Sequence, residues 1–149
     1  MWLGSGAGTY GSLTITGGAA NVGSWLAVGR GGHGALNLTG GTLNVLTNNI
    51  TLGTTPTGNS NHVANFGGSS ITNVFGGSIF LPEQQNGVVA VANVSGSAVV
   101  NLGNNVQMGV TTGFTNTGVL NLNGGTLATK SIVKGAAGGT FLVNFNGGT

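Results

Sequence analysis

Few side chains in this sequence are equipped for acid–base, nucleophilic or metal chemistry. Glu83 is its one carboxylate side chain, Arg30, Lys130 and Lys134 are its cations, and His33 and His62 are its histidines. There is no Cys and no Asp. A glycosidase of the usual type works with two carboxylates, which this chain lacks. A Ser-His-Asp triad lacks its acid. Calcium sites, including those that many polysaccharide lyases use, need repeated acids, and zinc sites built on thiolates need Cys. His33 in "RGGHG" and His62 in "NSNHVAN" have no acid near them in sequence and read as solvated loop residues. The stretches "GSGAG" and "GRGGHG" lack the Lys-Ser/Thr ending and following helix of a phosphate loop. The sequence therefore predicts no catalytic, metal or cofactor-binding residue, no cofactor and no enzyme. Arg30, His33, His62 and Glu83 are its candidate ligand-loop residues.

The formal net charge is +2, with 3% charged residues. Three dispersed cations cannot neutralise a row of phosphates, so no nucleic-acid partner is expected. So weak a charge favours association. No apolar run reaches the ~18 residues of a transmembrane helix. The start, "MWLGSGAG", has no basic segment followed by an apolar core, so no signal peptide is visible.

What remains is a repeat. A shift of 23 residues places Trp2 on Trp25, Leu3 on Leu26, Leu13 on Leu36 and Ile15 on Leu38. It also places Gly17-Gly18 on Gly40-Gly41. Related corners follow at Gly76-Gly77, Gly96-Ser97, Gly124-Gly125 and Gly147-Gly148. Two and four residues before each corner stand Leu13/Ile15, Leu36/Leu38, Thr72/Val74, Ala92/Val94, Leu120/Leu122 and Val143/Phe145. This period-two alternation predicts short strands with one buried face, and Gly at the corners supplies positive φ. A unit of about three such strands cannot bury its apolar edge alone, whereas stacked units can. The expected fold is all-β: a single-domain parallel β-solenoid over 1–149, with about six irregular coils and Gly-Gly corners. Leu13, Ile15, Leu36, Leu38, Val74, Val94, Leu120, Leu122, Val143 and Phe145 form its predicted core ladder. Six coils at ~4.8 Å give a rod of roughly 30 Å.

Asn37, Asn121 and Asn144 hold equivalent, outward places, as do Thr39, Asn123 and Asn146. Stacked Asn side chains bond along a ladder, and also present a regular amide surface. Trp2 and Trp25 are equivalent by the 23-residue register. With Tyr10 they read either as sugar platforms or as a corner or core ladder. The segments 54–70, with Pro56, and 81–87, with Glu83, interrupt the repeat and read as loops on one face. Asn37-Leu-Thr39, Asn49-Ile-Thr51 and Asn93-Val-Ser95 match the N-glycosylation pattern, which arises readily in Asn- and Thr-rich chains.

The phrases "GSWLAVGRGGHGALNLTGG", "GALNLTGGTLNV", "GVLNLNGGTLATKSIVKG" and "FNGGT" resemble the autotransporter-associated β-strand repeat, a family of very large secreted or surface bacterial proteins. The resemblance covers roughly 1–53 and 118–149, and implies a right-handed parallel β-helix outside the cell, with no catalytic residues. No amphipathic helix, charged edge or terminal proline is visible as an end cap, and the first and last coils read as incomplete. Thr149 aligns with Thr126, and Met1 with Ser24. The expected function is non-enzymatic and structural, extracellular or at the cell surface. The chain is read as a subunit stacking end to end into a filament, or as a stalk segment of a longer secreted protein. The alternative is an adhesin that recognises glycans or a cell surface through 54–70 and 81–87.

Overall fold

The computed structural model describes residues 1–55, 59–84 and 86–149. They form a parallel β-solenoid, and no helix occurs among them. The first turn is β1 (Trp2–Leu3), β2 (Tyr10–Ile15) and β3 (Ala19–Val22). The second is β4 (Leu26–Val28), β5 (His33–Leu38) and β6 (Thr42–Val45). The third is β7 (Ile50–Leu52), β8 (Asn61–Phe66) and β9 (Ile71–Val74). The fourth is β10 (Ile79–Leu81), β11 (Val89–Val94) and β12 (Val99–Leu102). The fifth is β13 (Val106–Met108), β14 (Thr115–Asn123) and β15 (Thr126–Ala128). Then come β16 (Ile132–Lys134) and β17 (Gly138–Gly147). Each strand pairs in parallel with its counterpart one turn away, giving three sheets. The first sheet runs β1 to β16, the second β2 to β17 and the third β3 to β15. Five turns are three-stranded, one fewer than the six expected, and β16 and β17 stand above them.

Alternation explains the interior. In β8, His62, Ala64 and Phe66 are buried, while Asn61, Val63 and Asn65 face out. Inward columns run through Leu36, Ala64, Ala92 and Leu120, and through Leu38, Phe66, Val94 and Leu122. The large Phe66 shares its turn with the small Ala64, and both belong to the buried core.

The turn length changes along the rod. Equivalent residues on the second sheet lie 23 apart at Tyr10↔His33, as they do at Asn121 and Asn144. The three steps between are 28 each, through Asn37, Asn65, Asn93 and Asn121. Most of the added length sits at one corner, between the first and second sheets. That corner is 29–32 in the second turn, then 53–60, 82–88 and 109–114.

This change corrects two expectations, and the open rung at β17 corrects a third. The corner above Gly40-Gly41 is Gly67-Gly68, because Gly67 N–H bonds the Leu38 carbonyl. Gly76-Gly77 lies at the next corner, between the third and first sheets. Thr72 and Val74 belong to the third sheet, on Leu43 and Val45. Val74 is still a core residue, but in a different column. Val143 and Phe145 take the predicted inward register on Leu120 and Leu122, yet are 36% and 69% exposed. Among the described residues the third sheet has no strand facing β17, which leaves both side chains exposed. Leu13 is partly buried at the other outermost rung. Thr149 does pair beside Thr126, as the repeat predicts: Leu127 N–H bonds its carbonyl at 2.7 Å.

The corner glycines have two separable reasons. Gly41 has φ +72, and a Cβ there would meet the backbone of Gly17 and Gly18 at 2.7 Å. Gly17 has open space at its Cβ position. Gly41→Ala is therefore expected to cost about 1–3 kcal/mol or more, and Gly17→Ala to change stability by under about 0.5 kcal/mol. Urea melts of the two variants check this.

Candidate functional site

The four ligand candidates of the sequence fall along the corner between the first and second sheets, on successive turns. They do not form a cluster. Each takes a different local partner, and each partner has a structural explanation.

Arg30 lies at the 29–32 corner, with its guanidinium 4.1 Å from the centre of the Trp2 ring. Such cation–π stacking occupies the ring face that a sugar would use. Trp2 pairs with Ala27, not Trp25, because the first corner is longer than the second. The indoles still meet edge to face at 6.5 Å. Trp25 is anchored by its Nε1–H, which donates to Thr51 Oγ1 at 2.9 Å. The corner reading of the tryptophans fits these contacts. Tyr10 is different: it is 71% exposed at the start of β2.

Neither histidine is a loop residue. His33 opens β5 and faces outward, and its Nδ1 accepts the Asn61 backbone N–H at 3.1 Å. That bond leaves Nε2 to carry the proton of the neutral ring. His62 points inward from β8, is 2% exposed, and has Nε2 2.9 Å from Ser60 Oγ. Its inward position follows from the strand alternation, since Gly34 and Ala90 flank it in the same column. A Cβ at Gly29 would overlap the His62 imidazole, so the glycine makes its room. Ser60 and His62 resemble the start of a nucleophilic triad, but both are buried from any substrate.

Glu83 is half-buried at the 82–88 corner. Its backbone N–H donates to the Gly53 carbonyl at 3.0 Å. Burial pushes its carboxyl above the ordinary value of 4.5, and a hydrogen bond from the Thr54 side chain partly opposes this. No group of three or more His, Cys, Asp or Glu side chains converges on a possible metal position among the described residues.

The 54–70 segment is not one loop. Residues 61–66 are β8, and residues 56–58, which include Pro56, lie outside the described residues, as does Gln85 of 81–87. Leu81 ends β10 and is buried. Residues 54–55 and 59–60 share the corner between the first and second sheets with the described residues of 82–87, whereas 67–70 turn the next corner, so the expected loops on one face are met only in part.

The most regular surface chemistry is the asparagine ladder. Asn65 Nδ2 donates to Asn37 Oδ1 at 2.8 Å, Asn93 to Asn65 at 2.7 Å, Asn121 to Asn93 at 2.8 Å, and Asn144 to Asn121 at 2.7 Å. Asn146 donates likewise to Asn123 at 2.8 Å. The sequence indicated Asn37, Asn121 and Asn144. It missed Asn65, which the longer turns shift out of the 23-residue register, and Asn93, which it read only as part of a glycosylation pattern. A second ladder crosses the third sheet through Asn21, Asn44, Asn73 and Asn101, with bonds of 2.8–3.0 Å. The repeated Asn-Val pair at 21–22, 44–45 and 73–74 would have pointed to it in part.

Asn65 bonds on both sides. Asn65→Ala is expected to lower unfolding stability by about 1–2 kcal/mol, and Asn144→Ala, with one bond, by about half that. For Glu83 the sign runs the other way from a salt-bridged acid. A raised folded pKa favours the protonated form, so the carboxyl costs stability as pH rises above 4.5. Glu83→Gln should match wild type below ~pH 4 and exceed it at neutral pH. Thermal melts of both across pH read the difference.

No protein-family model, curated protein or solved structure matches this chain. What stands is the β-solenoid fold with its stacked asparagine ladders.

Proposed function

We propose that this chain is a non-enzymatic structural element: a stiff β-solenoid segment of an extracellular or cell-surface bacterial protein, of the autotransporter-associated repeat type. In this reading its rungs extend a rod, either onto a second copy, end to end in a filament, or as part of a stalk.

The observation that carries the reading is the state of the rung at β17. Asn144 continues the ladder there, while the inward-facing Val143 and Phe145 remain open to solvent. A turn stacked in register, with one strand on β17 and one on the third sheet facing it, would cover both and pair the outer backbone groups of that edge. The contact is heterologous, since one end of the rod meets the other, and it propagates rather than closes. Weak charge removes the repulsion that would oppose it. The scattered partners of Arg30, His33, His62 and Glu83 favour a protein without a catalytic centre.

The test is electron microscopy and sedimentation of the purified chain over a range of concentrations. Unbranched fibres with an axial spacing of ~4.8 Å in diffraction are expected. Val143→Lys with Phe145→Lys should hold the chain as monomers without changing its circular dichroism. Wild-type monomers at every concentration would sink the filament form of the reading.

A further inference from the structure

The second sheet presents its outer face in columns. One runs through Tyr10, His33, Asn61 and Val89, the next through Ala35, Val63, Val91 and Val119, and the third is the ladder from Asn37. Over the second to fourth turns the first two columns form an open groove of about 530 Å³. Ala35, Val63 and Val91 line it, with Tyr10, His33 and Asn61 along one side. The Asn37–Asn65–Asn93 ladder runs alongside, and residues 59–60 and 86–88 lead directly into β8 and β11 beside it. Among the described residues, no Asp, Glu, Lys or Arg lines the groove.

We propose that this face binds an uncharged linear polysaccharide, its chain running along the rod axis. The argument is one of matched chemistry per rung. Each rung, ~4.8 Å from the next, offers one apolar side chain and one carboxamide. Asn65 and Asn93 each spend one N–H and one lone pair on their neighbours, which leaves a second of each for a ligand. A pyranose ring is about one rung long, with an apolar C–H face and hydroxyls at its edge. Its C–H face suits Val63, Val91 and the open Tyr10 ring, and its hydroxyls suit the amides and the His33 Nε2–H. The volume lies within the range of ligand sites. The uncharged lining selects against acidic glycans and against nucleic acid, whose phosphates need cations. A peptide adding as a strand would need a sheet edge rather than this face. The groove lies away from the β17 rung, so the inference stands whether or not the rods stack.

The experiment titrates the full chain with cellohexaose, mannohexaose and xylohexaose, and with an oligogalacturonate as the charged counterpart, by calorimetry. At least one neutral hexasaccharide should saturate with a Kd of about 1 mM or tighter. Val63→Arg and Val91→Arg should each weaken it roughly ten-fold or more, and Tyr10→Ala should weaken it too. Melting and circular dichroism should stay as in wild type, and Leu46→Arg, at another corner, should leave binding intact. The proposal is overturned if no neutral hexasaccharide saturates, if binding survives both arginine variants, or if oligogalacturonate binds best. It is also overturned if those variants abolish only a lateral self-association.

Discussion

Everything in this molecule follows from one repeated contact: a residue lies above its own equivalent, about 4.8 Å away. A side chain must therefore tolerate a near-copy of itself as neighbour. Like charges at ~4 Å repel by about 1 kcal/mol even in water, and a column of them would add that cost at every turn. A carboxamide has no such problem, because it donates on one side and accepts on the other. The chain is accordingly 3% charged, and Asn fills the outward columns of two sheets. The same contact explains the interior, where aliphatic columns bury one another, and the corners, where backbone lies on backbone. A Cβ at Gly68 would overlap the Thr39 carbonyl, and one at Gly148 would meet Gly124.

The fold was legible because these constraints act on residue types at short range. Alternation marked the strands, and glycine pairs marked corners, wherever the turn kept its 23-residue length. Legibility failed where the turn grew to 28. The eye then carried Thr72/Val74 and Gly76-Gly77 into the wrong sheet, because an apolar pair before two glycines occurs at two different corners. The register of β8 is set by pairing with β5, and that pairing is long-range. Asn65 and Phe66 take their places only once it is known.

The candidate site was less legible still. His62 is polar, sits after a run of Asn and Ser, and read as a loop residue. Its burial depends on the parity of β8 and on the space left by Gly29, neither of which its neighbours in sequence announce. Val143 and Phe145 show the reverse: their pattern is inward and apolar, but burial also needs a facing strand. Pattern gives a side chain its direction. Only the surrounding rungs decide what covers it.

The ladders also have a sense. In every asparagine bond described, the later turn donates to the earlier, on both sheets. Backbone dipoles in a sheet largely cancel, but these carboxamides all align with the axis. They add head to tail, as peptide units do in a helix. The rod is thus a small electret, with its N–H pole toward β2 and its C=O pole toward β17. Two such rods attract when they follow one another in the same direction and repel when they meet face to face, so an assembly of them would inherit a single polarity from the orientation of an amide.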